Sequence, residues 1–266
     1  MGDARIPAVL SIAGSDSGGG AGIQADLKAF ACCGVHGMTA VTAITAQSTV
    51  GVSAVEAVSP RTIVAQVRAV AEDIGVDAVK VGMLGSAATV DAVVEALGLT
   101  GEAPVVVDPV MVAESGAVLL DPAARRALVE RLLPLATVVT PNLPEARELT
   151  GAGEGAGQEE LARAVVALGP SAAVVTGGHS DQLVDVFFDG SQAVPIDGER
   201  HPDGAAHGSG CTHSSALAAF LARGEPPLSA ATRAREVASA AVAAGLREIG
   251  AGVGPVDSLG IARRLQ

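Results

Sequence analysis

His207-Gly208-Ser209-Gly210-Cys211 places a thiol behind two glycines, at what reads as the first turn of a helix. The first turn of a helix leaves backbone N–H groups without intrahelical partners, and these groups attract anions. Glycine lets a ligand approach such a backbone without a Cβ in the way. The amides of Gly208, Ser209, Gly210 and Cys211 can therefore converge on one oxyanion, with the Cys211 sulfur beside it. A thiol at a helix N-terminus is expected to ionise more readily than a free one. Most lone cysteines are instead small core residues, and the amide funnel argues against that reading for Cys211. Cys32 and Cys33 close an apolar helix and fit the packing role.

Other chemistry-bearing residues follow apolar runs. They are Gly14 to Gly22 (GSDSGGGAG), Thr45-Ala46-Gln47, Gly82-Met83-Leu84, Asp108-Pro109-Val110-Met111, Thr140 to Glu145 (TPNLPE) and Thr176-Gly177-Gly178-His179. The first is not a dinucleotide fingerprint, because Gly18-x-Gly20 leads to Ile23 where that motif needs glycine. It is not a P-loop either, since no Gly-Lys-Ser/Thr follows. It reads as a tight turn, or as backbone held close to a small ligand with Asp16 and Asp26 nearby. Asp108 can cap a turn. It can also hold Mg²⁺ through water together with Glu145, as Mg²⁺ prefers. Asn142 and Glu145 stand three apart around a helix start, where a carboxylate is favoured in any case. Gln47 is a solvated loop amide, or it reads a heteroaromatic ring with its donor–acceptor pair.

The elements that must position these groups alternate. AVLSIA (8–13), MTAVTAI (38–44), AVKVGM (78–83), PVVVDPV, ATVVTPN and AAVVTGG read as strands, with helices between them. Ser59-Pro60 and Asp121-Pro122 carry the cap-then-proline signature of a helix start, and Ser86 opens another helix that Gly98 stops. LVDVFFDG and QAVPID read as a hairpin, GAGEGAG (151–157) as a surface loop, and two alanine-rich helices close the chain. The expected fold is α/β: one doubly wound, mostly parallel sheet with helices on both faces, a single domain over 1–266. In such sheets ligands bind beyond the carboxyl ends of the strands, which is where the listed residues fall.

Composition narrows the function. The chain has no Trp or Tyr, so its core must be aliphatic, and its formal charge is −12. No Lys/Arg run appears, which argues against nucleic acid and anionic membrane as partners. No apolar stretch is long enough to span a bilayer, and the N-terminal apolar run reads as a strand rather than a signal peptide. Three cysteines without a CxxC pair suggest a reducing compartment and no structural zinc. The expected location is the cytoplasm.

Taken together, AGSDSGGGAGIQADLK, TAITAQSTVGV, VKVGMLGS, VVDPVMVAESG, VTPNLPEA, GGH, HGSGCT and GVGPVDSL span nearly the whole chain. They resemble the ribokinase superfamily, and within it the hydroxymethylpyrimidine/phosphomethylpyrimidine kinases of thiamine biosynthesis. The resemblance implies a ribokinase-like fold, ATP as co-substrate, Mg²⁺ as cofactor and a homodimer. It implies Cys211 as base in place of the superfamily's usual aspartate, with Gly208, Ser209 and Gly210 forming the anion hole. Gly14, Ala21, Asp26, Gln47, Met83 and Val110 would line the pyrimidine pocket, with Asp16 alongside. Asn142, Thr176 and Gly178 would serve ATP, and Asp108 and Glu145 the metal through water. Two departures stand out: Thr176 occupies the place where the family commonly has lysine, and HPDGAAHG lacks a second family lysine. A pyridoxal kinase would share every phosphate feature. A cysteine hydrolase built from Cys211 with His179, His207 or His213 lacks nucleophile-elbow spacing. A non-catalytic pyrimidine-binding protein would show no ADP release.

Overall fold

The computed structural model describes residues 5–112, 116, 117, 119–178 and 183–265. His179 and the Ala113–Ser115 part of the VVDPVMVAESG stretch lie outside the described residues.

Eight strands form the main sheet: β1 (Ala8–Ala13), β2 (His36–Val41), β5 (Ala78–Val81), β6 (Val105–Val107), β7 (Val138–Val139), β8 (Ala172–Val175), β9 (Asp185–Phe188) and β10 (Ala193–Ile196). Their order is β10-β9-β8-β7-β6-β5-β1-β2. From β2 to β8 every pairing is parallel, and β9 and β10 add an antiparallel hairpin at one edge. The helices are α1 (Gly22–Cys32), α2 (Pro60–Asp73), α3 (Ala87–Leu97), α4 (Pro122–Ala127), α5 (Leu143–Thr150), α6 (Gln158–Val166), α7 (Ser209–Ala222) and α8 (Pro227–Ala243). Ser59, Ser86 and Asp121 each cap a helix as their sequence context predicts, accepting from Thr62, Thr89 and Ala124 N–H. Past Ala127 the α4 helix widens into a π turn, Leu128–Leu132.

A parallel sheet covered on both faces needs strands that are apolar throughout. In β1, Leu10 and Ile12 pack with Ile63, Val67, Val90 and Leu161 on the α2–α6 side. Val9 faces the other way, with Phe30, Leu217, Phe220 and Ala231 of α1, α7 and α8. Helix α7 is enclosed all round: every residue from Thr212 to Leu221 is buried. Thr212, His213, Ser214 and Ser215 open that run, and the two serines find their partners inside the protein, on Asp108 and Asp26.

One expected strand divides. The run 38–44 leaves the main sheet at Thr42 and becomes β3 (Ala43–Ser48), which pairs antiparallel with β4 (Gly51–Ala57). This two-stranded hairpin stands off the sheet edge and exposes Ile44, Val50 and Val55. Its tip docks on the C-terminal loop: Gly252 N–H donates to Thr49 Oγ1 at 3.2 Å, and a Cβ on Gly250 would collide with the Thr49 side chain.

Candidate active site

The loop after β1 is organised by its own aspartate. Asp16 Oδ1 accepts from Gly18 N–H at 2.8 Å, and Oδ2 accepts from Gly20 and Ala21 N–H at 3.0 and 2.8 Å. His207 Nε2 lies 3.1 Å from Oδ2. Burial alone would raise the Asp16 carboxyl, but His207 and the amides of Ala21 and Gly18 hold it below its usual value. Asp16 is 1% exposed, and its carboxylate shapes the loop.

That loop interlocks with the start of α7. Gly208 has φ +84°, and a Cβ there would strike the Gly20 carbonyl oxygen; a Cβ on Gly20 would strike the His207 ring. Both turns depend on glycine for this close approach. Ser209 N–H is used by the Ala206 carbonyl at 2.9 Å, which removes it from the expected amide set. The N–H groups of Gly208, Gly210 and Cys211 have no acceptor among the described residues. Gly210 is exposed and Cys211 half-buried, so this turn opens outward.

The thiol behaves against expectation. Burial pushes Cys211 up to about 12; Lys80 pulls it back, Asp26 and Asp108 push it further, and the Gly22 N–H favours the thiolate only weakly. Desolvation and two carboxylates outweigh the helix end. Cys211 is a thiol at rest.

Lys80 is the functional residue that motif reading misses. It is fully buried in β5, donating to Asp26 Oδ1 at 2.9 Å and lying 3.9 Å from Asp108 Oδ2. Burial opposes its charge, yet Asp26, then Cys211 and Asp108, hold the ammonium above its usual value. Ser11 and Ser215 donate to Asp26 at 2.6 and 2.7 Å, and Ser214 donates to Asp108 at 2.9 Å. Asp26 is 0% exposed and fully engaged, so it braces the site from beneath. A lysine within the apolar run AVKVGM was the available signal, because a buried cation requires a partner.

The remaining pocket candidates gather at the same strand ends. The Met83 thioether lies over Gly14, where a Cβ would come within 2.7 Å of Met83 Cε. Thr42 Oγ1 donates to the Met83 carbonyl at 2.8 Å. Ala21 is half-buried at the N-cap of α1. Gln47 is half-buried just past a bulge in β3, and its backbone exchanges hydrogen bonds with Ser17 Oγ. Val110, half-buried, follows β6 two residues after Asp108.

Asn142 and Glu145 form a reciprocal capping box on α5, each side chain accepting from the other's N–H at 2.9 Å. Thr176 is bridged to Asn142, and its N–H donates to the Pro141 carbonyl at 2.9 Å. Gly178 is exposed beside it. Glu145 is pushed up to about 8, by burial first and then by the charge of Asp108. Asp108 is raised by burial, with Lys80 and Ser214 opposing. Two desolvated carboxylates acting on each other are a donor set that suits a divalent cation carrying its own waters. Among the described residues no group of three or more metal-ligand side chains exists, so the protein offers no closed metal cage.

The family model described as "Phosphomethylpyrimidine kinase" matches residues 16–257, from Asp16 of the first loop to just beyond the α7 turn's C-terminal support. The chain belongs to that family. The hydroxymethylpyrimidine/phosphomethylpyrimidine kinase of Rhizobium meliloti is 51% identical over 253 residues, covering 93% of this chain and 95% of that one. A phosphomethylpyrimidine kinase structure from Clostridium difficile superposes with a TM-score of 0.77 at 40% identity, covering 87% of this chain and 97% of the other. The pyridoxal kinase of Bacillus subtilis, solved as an ADP complex, gives 0.88 at 38% identity over 98% and 100% of the two chains. The kinase family and the ribokinase-like architecture expected from the motifs are thus both found.

Proposed function

We propose that this enzyme transfers the γ-phosphoryl group of ATP to the hydroxymethyl group of 4-amino-5-hydroxymethyl-2-methylpyrimidine. In a second round it phosphorylates the resulting monophosphate to the diphosphate, within thiamine biosynthesis. The observation that carries this reading is the opening of α7. Three unengaged amides, those of Gly208, Gly210 and Cys211, stand beside a thiol and abut the loop from Gly14 to Ala21.

Phosphoryl transfer demands alignment and charge stabilisation more than covalent chemistry. Gly14, Ala21, Gln47, Met83 and Val110 hold the ring, with Gln47 supplying the donor–acceptor pair. Asn142, Thr176 and Gly178 receive the nucleotide. Asp108 and Glu145 would hold Mg²⁺, which would offset the charge of the phosphates. The α7 amides stabilise the oxygens of the migrating group. Cys211 acts as base in its thiolate form: its own proton leaves to solvent first, and the sulfur takes the hydroxyl proton late in transfer, once bond formation to phosphorus has made that proton acidic. With Thr176 in the nucleotide site, the phosphates meet one cation fewer than the family pattern supplies.

Among the described residues no helix is long and apolar enough to cross a membrane. Three free cysteines fit a reducing, cytoplasmic site of action. A second copy of the chain covers the β3–β4 hairpin, whose Ile44 and Val55 are 58% and 51% exposed; a hairpin alone is marginal in water. Size-exclusion chromatography with light scattering tests that dimer.

A second reading, pyridoxal kinase, is favoured by solved neighbours of that name, including one from Staphylococcus aureus in complex with pyridoxal at a TM-score of 0.87 and 33% identity. ADP release measured with hydroxymethylpyrimidine, its monophosphate and pyridoxal decides. The proposal expects the highest kcat/KM for the pyrimidines, and a preference for pyridoxal overturns it.

A further inference from the structure

Among the described residues six buried side-chain atoms lack a hydrogen-bond partner, and four of them belong to one cluster: Asp185 Oδ2, His213 Nδ1 and Nε2, and Arg235 Nε. The cluster joins three elements, β9, α7 and α8. Asp185 is 0% exposed, and its Oδ1 accepts from the Gly177 N–H at 2.8 Å while lying 3.5 Å from Arg235 Nη1. Arg235 Nη2 donates to the Leu183 carbonyl at 2.8 Å. Leu183 is the one non-glycine with positive φ among the described residues, at +47°. A backbone in that region persists only where its surroundings over-determine it. The guanidinium also fills the space over Gly198, where a Cβ would collide with it. His213 Nε2 lies 3.8 Å from Asp185 Oδ2. Burial keeps that imidazole neutral, Asp185 opposing and Arg235 assisting.

This arrangement fastens two segments that meet beside the nucleotide. Gln158 Nε2 bridges the Val175 and Val184 carbonyls at 2.7 and 2.6 Å from one side. A Cβ on Gly177 would strike the Val184 carbonyl oxygen, so the Thr176–Gly178 turn is folded directly onto residues 183–185. From the other side Asp185 and Arg235 tie this turn to α8, and His213 stands two residues beyond Cys211 on α7. We infer that Arg235 and Asp185 form a strut that sets the Thr176–Gly178 backbone for the ATP phosphates relative to the first turn of α7. Arg235 is thus a positioning residue for nucleotide binding rather than a group that touches the reacting atoms. An arginine suits this task because its planar fork holds a carboxylate and a carbonyl at once. The inference rests on the nucleotide lying at the Thr176–Gly178 turn.

Steady-state kinetics with ATP and hydroxymethylpyrimidine varied separately test it, on Arg235→Met, Arg235→Lys and Gly178→Val. Met keeps the apolar stem of Arg235, which avoids emptying the packed space. Gly178 is exposed, and a Cβ there meets nothing, so Gly178→Val crowds the nucleotide without disturbing the fold. Arg235→Met is expected to raise the ATP KM roughly ten-fold, equivalent to about 1.4 kcal/mol. The pyrimidine KM and kcat at saturating ATP stay within about two-fold, a resolution such constants allow. Arg235→Lys, which keeps a cation for Asp185, recovers most of the ATP KM. Equal rises in both KM values, with a lowered Tm, would mean plain packing and overturn the strut. An unchanged ATP KM in Arg235→Met beside a raised one in Gly178→Val also overturns it. Unchanged values in both variants overturn the nucleotide placement, and the strut with it.

Discussion

Lys80 and Asp26 form an ion pair 2.9 Å long with neither side chain exposed, in the field of the Cys211 thiol. The pair is embedded in hydroxyls from two elements, Ser11 of β1 and Ser215 of α7. Breaking one partner of such a pair leaves a desolvated charge behind.

Lys80→Met is therefore expected to cost about 3–5 kcal/mol of stability, measured by urea unfolding. Adding Asp26→Asn to the same chain removes the stranded charge and should recover part of that loss. A double variant less stable than Lys80→Met would show that the two residues do not act as a pair.

Cys211→Ala should lower kcat by roughly 10²–10⁴-fold, the usual range for a general base, with the ATP KM little changed. Near-full activity would remove Cys211 from the proton transfer. The same thiol should resist iodoacetamide at neutral pH. Cys32, exposed and lowered to about 6 by the Cys33 thiol beside it, should be modified first. Peptide mass mapping reads the order directly.

Asp16 predicts a pH dependence with a definite sign. Its folded carboxyl lies below the ordinary 3.8, so in acid the unfolded chain binds the extra proton. The stabilisation it contributes is complete above the unfolded value and is lost as pH falls through the folded one. The Tm gap between wild type and Asp16→Asn should therefore be constant near neutrality and close below about pH 4. A gap that widens in acid would contradict the assignment.

Gln47→Ala should raise the KM for hydroxymethylpyrimidine roughly three- to ten-fold, in keeping with the loss of neutral hydrogen bonds, and leave the ATP KM alone. An unchanged pyrimidine KM would take Gln47 out of the pocket.

Much of this architecture can be read from the chain itself. Ser59, Ser86 and Asp121 announce their helices because a cap is a local interaction, complete within a few residues. The glycine turns at Gly20 and Gly208 are legible for the same reason, although their contact with each other is not. The division of 38–44 into β2 and β3 escapes notice, since a continuous apolar run does not say which of two sheets each half joins. Asp16 and Asp26 illustrate the harder limit. Both sit in motifs and both read as ligand-facing, yet one is consumed by three loop amides and the other by Lys80 and two serines. The Cys211 thiol was expected to be acidic because its helix position is visible in sequence, whereas its burial and its carboxylate neighbours arise from packing.

The docking of Thr49 between Gly250 and Gly252 makes the carboxyl-terminal tail a doorstop for the β3–β4 hairpin that carries Gln47. The strand that carries Gln47 is thus held at its tip by a loop 203 residues further along the chain.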